Sequence, residues 1–407
     1  MVRLHEALGP AGIDSRVYVV RDDANTPGAI ADGRLAPVSI TLRKHLQTRP
    51  RSMEFFSDDR NPAATDLAGA IPPADIVQLH WVARFVDYRT FFPAITAHRP
   101  LVWTLHDMNP FTGGCHYTGG CTRFTRHCGV CPQLLSSSAS DLSRSIWSRK
   151  EAAYASLAQS GMHVVSPSRW LAAEAQRSTL LGQFDISVIP YGLNTHTFAP
   201  LDRASVRQSL GLPQDAALVL FAAAALDNRR KGLDLLTAAL GRLATKQTPH
   251  RRPVHLLTIG DRPPTMPFPL PHHHLGATND DRRLAEAYNA ADVFVIPSRD
   301  DNLPNTVLES LACGTPVVGF AVGGIPDMVR MGETGLLAAP EDTCAMAEAI
   351  ERVLVDAELR SRLAENARRV AVTEYDAAIQ AGRYAALYAQ ILESSGRDPS
   401  RALMGAT

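Results

Sequence analysis

A chain of 407 residues is too long for one comfortable core, which predicts two domains, each able to bury most of its apolar surface. With 45% hydrophobic and 20% charged residues it is an ordinary globular composition, and 41 basic against 41 acidic side chains exclude the cationic excess of a general nucleic-acid binder. No apolar run approaches the roughly 18 residues of a membrane span, and the start MVRLHEALGP lacks the basic and apolar regions of a signal peptide, so a cytoplasmic location is expected.

In chain order, VRLHEALGPAGIDSRVYVV reads as a helix, a stop at Gly12 and a strand. A doubly wound sheet usually begins with a central strand and a glycine-rich turn, so the first N-terminal strand reads as missing, through a misplaced start or a truncation. TLRKHLQTRPR, residues 41–51, is a basic stretch, read either as a solvated face or as a contact with an anionic membrane surface. Short apolar runs then alternate with amphipathic segments: ADIVQLHWV, PLVWTLHD, MHVVSPS and ISVIPYG in the first half, ALVLFAAAA, VHLLTIGD, DVFVIPS and TPVVGF in the second. Continuous Val/Ile/Leu runs between helical segments predict parallel sheets covered on both faces, hence an α/β protein.

Pro190, Gly192 and Pro200 punctuate residues 189–202, which read as a hinge between an N-terminal lobe, 1–188, and a C-terminal lobe, 203–372. PPTMPFPLPHHH, residues 263–274, reads as a Pro-rich loop without chemistry. Residues 373–394 predict a final amphipathic helix, expected to cross back to the first lobe, and 395–407 a loose tail.

Residues 113–133 hold Cys115, Cys121, Cys128 and Cys131 in a C-x5-C-x6-C-x2-C pattern, with His116 and His127 interleaved. Four sulfurs, or three with one histidine, suit tetrahedral zinc; the spacing matches no standard finger, so reduced thiols are the alternative.

SRDDNLPNTVLESLACGTPVVGF, residues 298–320, places Asp300, Asp301 and Glu309 where the strand DVFVIPS ends and a helix begins. Open parallel sheets bind ligands at that edge. The amides near Asn305 and Thr306 favour a phosphate or diphosphate, and carboxylates there make sense as acceptors for hydroxyls. A sugar, a diphosphate and a ribose offer that combination.

This stretch resembles the E-x7-E motif of retaining glycosyltransferases of the family 4 kind, which have the GT-B fold of two Rossmann-like lobes with a cleft between them. WTLHDMNPFTGGCHY, SPSRWLA, IPYGLNTHTFAP, RRKGLDLL, YNAADVFVIPS, GGIPDMV and GETGLLA resemble further stations of that family in the same order. The resemblance implies that Asp301 contacts the donor sugar, with neighbouring Asp300 compensating for an Asp in place of the family's Glu, and that Glu309 holds the ribose. It implies that Lys231 binds the diphosphate. Where many relatives carry a second cation this chain has Ala225, and Arg229 or Arg230 is the replacement. Gly323 and Gly324 are expected to let backbone approach the donor, His106 to face the reacting carbon from the N-terminal lobe, and Arg169 to face the acceptor or a phosphate; Asp107 is expected to orient the loop after His106.

The reading is therefore a nucleotide-sugar-dependent glycosyltransferase acting with retention by front-face displacement, taking a UDP- or GDP-sugar and requiring no cofactor for its chemistry. The acceptor implied is a surface glycan or lipid-linked oligosaccharide of the exopolysaccharide type, used in the cytoplasm or at the inner face of the membrane. The rivals are a nucleotide-sugar epimerase of similar architecture and an inactive, truncated binding protein.

Overall fold

The structure, a computed structural model, describes residues 1–22, 26–48, 54–96, 99–157, 161–245, 252–263 and 266–397. Two compact units form: Met1–Pro190 with Gln380–Thr407, and Tyr191–Ile379. Of the expected loose tail, residues 398–407 lie outside the described residues, as do 49–51 of the basic stretch and 264–265 of the Pro-rich one.

The first unit is built on a four-stranded parallel sheet in the order Val77–Leu79, Leu101–Thr104, Met162–Ser166, Asp185–Val188. Alternate side chains enter opposite cores, as the two-residue period of a strand requires. Leu101, Trp103 and Val164 pack with Tyr88, Phe92 and Tyr154. Val102 and Val165 pack on the other face with Leu4, Leu8, Tyr384 and Leu387. The helix Val2–Leu8 precedes a separate two-stranded parallel ladder, Tyr18–Val19 with Ile30–Ala31.

The second unit has a six-stranded parallel sheet in the order Gly335–Ala338, Val317–Phe320, Val293–Ile296, Ala217–Ala222, Val254–Ile259, His272–His274. Its first strand in sequence lies mid-sheet, and later strands are added first on one side and then on the other. That is the strand order of a dinucleotide-binding Rossmann sheet, whose ligand crevice opens where the order reverses. All of Ala217–Ala222 is buried. Leu218 and Leu220 join Phe294, Ile296, Leu308 and Leu311 on one face, while Val219 and Phe221 join Val293, Val295, Leu240 and Ile350 on the other.

Two elements differ from the sequence reading. Residues 263–274, expected as loop, contain the edge strand His272–His274; Thr258 Oγ1 lies 2.7 Å from His272 Nε2 and 2.9 Å from His274 Nδ1, and His273 Nε2 lies 2.9 Å from His255 Nδ1. Polar ladder pairs, rather than apolar alternation, mark this strand. The final helix begins at Ala377 and not at 373, because Tyr375 and Asp376 interrupt it after the helix Ala357–Glu374. Leu193 donates its amide to the Tyr375 carbonyl at 3.0 Å and accepts from the Ala377 amide at 2.9 Å, which takes up peptide groups a continuous helix would use internally.

Candidate active site

In the second unit the order reverses between Ala217–Ala222 and Val293–Ile296, and the loops leaving these strands carry most of the expected donor residues. Gly232 holds φ +75°, and a Cβ there would lie 1.9 Å from the Pro297 carbonyl oxygen. Only glycine lets the turn after Lys231 lie so close against the neighbouring strand end. The Arg299 amide donates to the Arg230 carbonyl at 2.8 Å, joining the two loops.

Lys231 Nζ meets Asp301 Oδ2 at 2.7 Å, Arg230 Nη1 meets Oδ1 at 3.2 Å, and Ser298 Oγ donates to Oδ2 at 3.2 Å. Arg230 also donates to the Asp300 carbonyl at 2.8 Å, so Asp300 contributes main chain to the cluster. Burial alone would raise the Asp301 carboxyl, but Lys231 and Arg230 overcome it and hold the group below its usual range. Gly323, at φ +54°, closes the crevice: a Cβ would stand 1.8 Å from the Asp301 carbonyl oxygen, and the Gly324 amide donates to that oxygen at 3.0 Å.

The helix Asn305–Ala312 starts after Pro304, so Asp301 does not cap it. Asn305 is exposed and Thr306 half-buried, and theirs are among the amides that helix geometry leaves to partners outside the helix. Glu309 is buried, at 6% exposure, rather than solvated, and Tyr288 Oη donates to its Oε2 at 2.9 Å. Tyr288 was not singled out by the sequence reading, although it opens YNAADVFVIPS; neither was Ser298. Arg229, the other candidate cation, is exposed and offers its carbonyl to Arg299.

The first unit places His106 two residues beyond the strand Leu101–Thr104, partly buried, with its Nε2 3.0 Å from His80 Nδ1. Burial pushes His106 down to about 4, so the imidazole is neutral near pH 7. His80, also overlooked, follows the end of the adjacent strand Val77–Leu79, a position that marks it by the same logic as His106. Asp107 orients the following loop as expected. Its Oδ1 accepts the Asn109 amide at 2.8 Å, and its Oδ2 lies 2.6 Å from His116 Nδ1 and 2.9 Å from the Trp81 indole nitrogen. His116 Nε2 is 2.8 Å from Ser57 Oγ. With Ser57 at 4% exposure, this Ser57–His116–Asp107 chain ties the loop together rather than presenting a nucleophile. Arg169 is exposed at the start of the helix Arg169–Arg177, beyond the strand Met162–Ser166.

Cys115, Cys128 and Cys131 are buried free thiols and Cys121 is half-buried; all four line one small cavity. Among the described residues no helix is long and apolar enough to cross a membrane.

Comparison with known proteins bears on the same unit. Residues 217–356 match the family described as glycosyl transferases group 1. The chain is 34% identical over 196 residues to a D-inositol 3-phosphate glycosyltransferase of Actinosynnema mirum, covering 45% of this chain and 46% of the relative. It is 30% identical over 232 residues to the enzyme of that name from Frankia alni, covering 50% and 54%. The chain thus spans about half the length of the relatives it matches. Among solved structures, sucrose-phosphate synthase from Thermosynechococcus elongatus superimposes with a TM-score of 0.67 at 24% identity, over 96% of this chain and 92% of that one. Anabaena HepE, in complex with UDP and glucose, superimposes with a TM-score of 0.55 at 18% identity, over 83% and 81%. At those identities the structural likeness establishes the fold, which is GT-B. Within the Rossmann-ordered second unit, residues 217–356 are thus similar to the glycosyl transferases group 1 family.

Proposed function

We propose that the chain transfers a glycosyl group from a nucleotide-sugar donor to an acceptor hydroxyl, with the donor held on the C-terminal unit. The observation that carries this reading is the meeting of Arg230 and Lys231 with Asp301 at the reversal point of the sheet. A donor diphosphate takes over the two cations from the Asp301 carboxylate, and the helix start at Asn305 and Thr306 adds partial positive charge. Asp301, released from Lys231, then accepts hydrogen bonds from hydroxyls of the donor sugar. Glu309, oriented by Tyr288, accepts from the ribose hydroxyls. The complex of HepE with UDP-glucose supports this donor class.

The acceptor oxygen attacks the anomeric carbon on the face from which the diphosphate departs. The glycosidic C–O bond forms as the bond to the diphosphate breaks, a departing phosphate oxygen takes the acceptor proton, and configuration is retained. Lys231 and Arg230 stabilise the charge that grows on the leaving group. In the first unit His106, neutral and paired with His80, can offer a hydrogen bond but no charge.

A panel of UDP- and GDP-sugars, scored by thermal shift and by release of nucleoside diphosphate, tests the reading. The matching donor at a hundredfold excess over its Kd should stabilise the chain by about 2.7 kcal/mol. No shift and no release with any donor would remove the proposal, and a donor sugar altered without transfer would mark an epimerase instead.

A glycan or lipid-linked oligosaccharide is the acceptor class we favour, at the cytoplasmic face of a membrane. Support comes from the helix Ile40–Thr48, which exposes Arg43 and Lys44 together with Ile40 at 74% exposure. Sedimentation with anionic vesicles at low salt should carry the chain down, and Arg43→Glu with Lys44→Glu should release it. Absence of the wild-type chain from the pellet would eliminate the membrane contact.

A further inference from the structure

We propose that Cys115, Cys121, Cys128 and Cys131 are the four ligands of a structural zinc ion that fixes the loop following His106. The inference rests on the N-terminal unit alone and does not depend on the donor chemistry.

The first observation is convergence. The four cysteines line a single cavity of about 20 Å³, together with the apolar Phe56, Phe124 and Pro132 and with polar Thr112, Arg123 and Gln133. A soft, sulfur-only set of four matches the tetrahedral preference of a closed structural zinc site. As the side chains stand, no group of three or more His, Cys, Asp or Glu among the described residues is arranged to hold a metal ion, so ligation requires the cysteines to turn. Turning a cysteine between staggered wells is a small change beside the free energy that structural zinc contributes to such loops.

The second observation is that the loop backbone packs tightly around Cys128. The Gly113 amide donates to Cys128 Sγ at 3.1 Å. A Cβ at Gly113 would come within 2.7 Å of the Cys128 Cβ, so glycine is what allows that approach. The turn between Cys128 and Cys131 is held in an unusual conformation, with Gly129 at φ +137° and Val130 at φ +47°.

The third observation is the charge beside the cluster. Lys150 has no exposed surface, and its Nζ donates to the carbonyls of Asn109 and Thr112, the latter next to Gly113, whose amide meets Cys128 Sγ. Four thiolates around one Zn²⁺ leave a net double negative charge, which a buried ammonium offsets in part. Each thiol gives up one proton to solvent on ligation and no electrons move. The consequence for the neighbouring site is rigidity: Cys115 precedes His116, whose bond to Asp107 also holds Trp81.

The test is metal analysis of the full chain purified from zinc-supplemented cells, with cobalt substitution as the spectroscopic readout. About one zinc per chain is expected, and cobalt should give thiolate charge-transfer absorption with the intense visible bands of a tetrahedral site. Cys128→Ser is expected to lose the metal. Should that variant not fold, Cys121→Ser at the half-buried position keeps three sulfurs and should weaken zinc retention at least tenfold and alter the cobalt spectrum. Cys344→Ser, in the other unit, should change neither. Native chain without stoichiometric zinc whose four loop thiols all titrate, or a disulfide found between any two of them, would overturn the assignment.

Discussion

Glu309→Gln should leave the chain folded while donor kcat/KM falls roughly 10- to 150-fold. The side chain is buried, and Tyr288 Oη donates to its Oε2 at 2.9 Å. Glutamine keeps the volume and offers an amide oxygen to Tyr288, so the packing and that hydrogen bond survive. What goes is the negative charge. A hydrogen bond to a charged acceptor contributes about 1.5–3 kcal/mol, which corresponds to the fall stated. Because the ribose is held equally before and during reaction, the loss should appear mainly in KM. Glu309→Ala should remove turnover more completely and also cost about 1–3 kcal/mol of stability, since Tyr288 would keep a buried hydroxyl with one partner fewer. Wild-type kcat/KM in the glutamine variant would exclude Glu309 from the donor site.

The largest expected effect on stability belongs to Asp292, far in role from the chemistry. Its side chain is fully buried and meets Arg207 at 2.8 Å, Arg252 at 2.9 Å and Arg203 at 3.2 Å, while its Oδ2 also accepts the Leu218 amide at 2.8 Å. Arg207 is 1% exposed and donates further to the carbonyls of Ala290, Gln214 and Ala216. Asp292→Asn strands that guanidinium without its counter-charge, a loss of about 3–5 kcal/mol, and should lower the melting temperature by roughly 6–20 °C. Arg203→Ala, by contrast, removes a partner with 41% side-chain exposure and should cost no more than about 1 kcal/mol. Equal melting temperatures for Asp292→Asn and wild type would refute the account.

The same group sets a pH dependence. Burial alone would raise the Asp292 carboxyl, but the Arg252 hydrogen bond and the neighbouring arginines bring it below its usual range. A carboxylate whose folded pKa lies under its unfolded value of about 3.9 stabilises fully above that pH, and the contribution is lost as pH falls through the folded value. Acid melting curves should therefore show wild type losing more stability below about pH 4 than Asp292→Asn does.

The sequence by itself determined the class and the strands. ALVLFA, VFVI and VVGF read as buried parallel strands because both faces of each are covered, and the structure buries every residue of the three. Resemblance to glycosyltransferase motifs also singled out Lys231, Asp301 and Glu309 as expected donor residues, because motifs are read from local spacings. Local spacing says little about which loops become neighbours. Lys231 and Asp301 are 70 residues apart and bond only because the sheet order sets their two strands side by side. Tyr288 reaches Glu309 across 21 residues, between the helices Asp281–Ala290 and Asn305–Ala312. The break at Tyr375 and Asp376 arises from pairing with Leu193, and the strand His272–His274 from its ladder with Val254–Ile259. Periodicity records which face of an element is buried, a property of adjacent residues. Partners across a sheet are chosen by pairing and packing between distant segments, and that choice was made only by the tertiary structure.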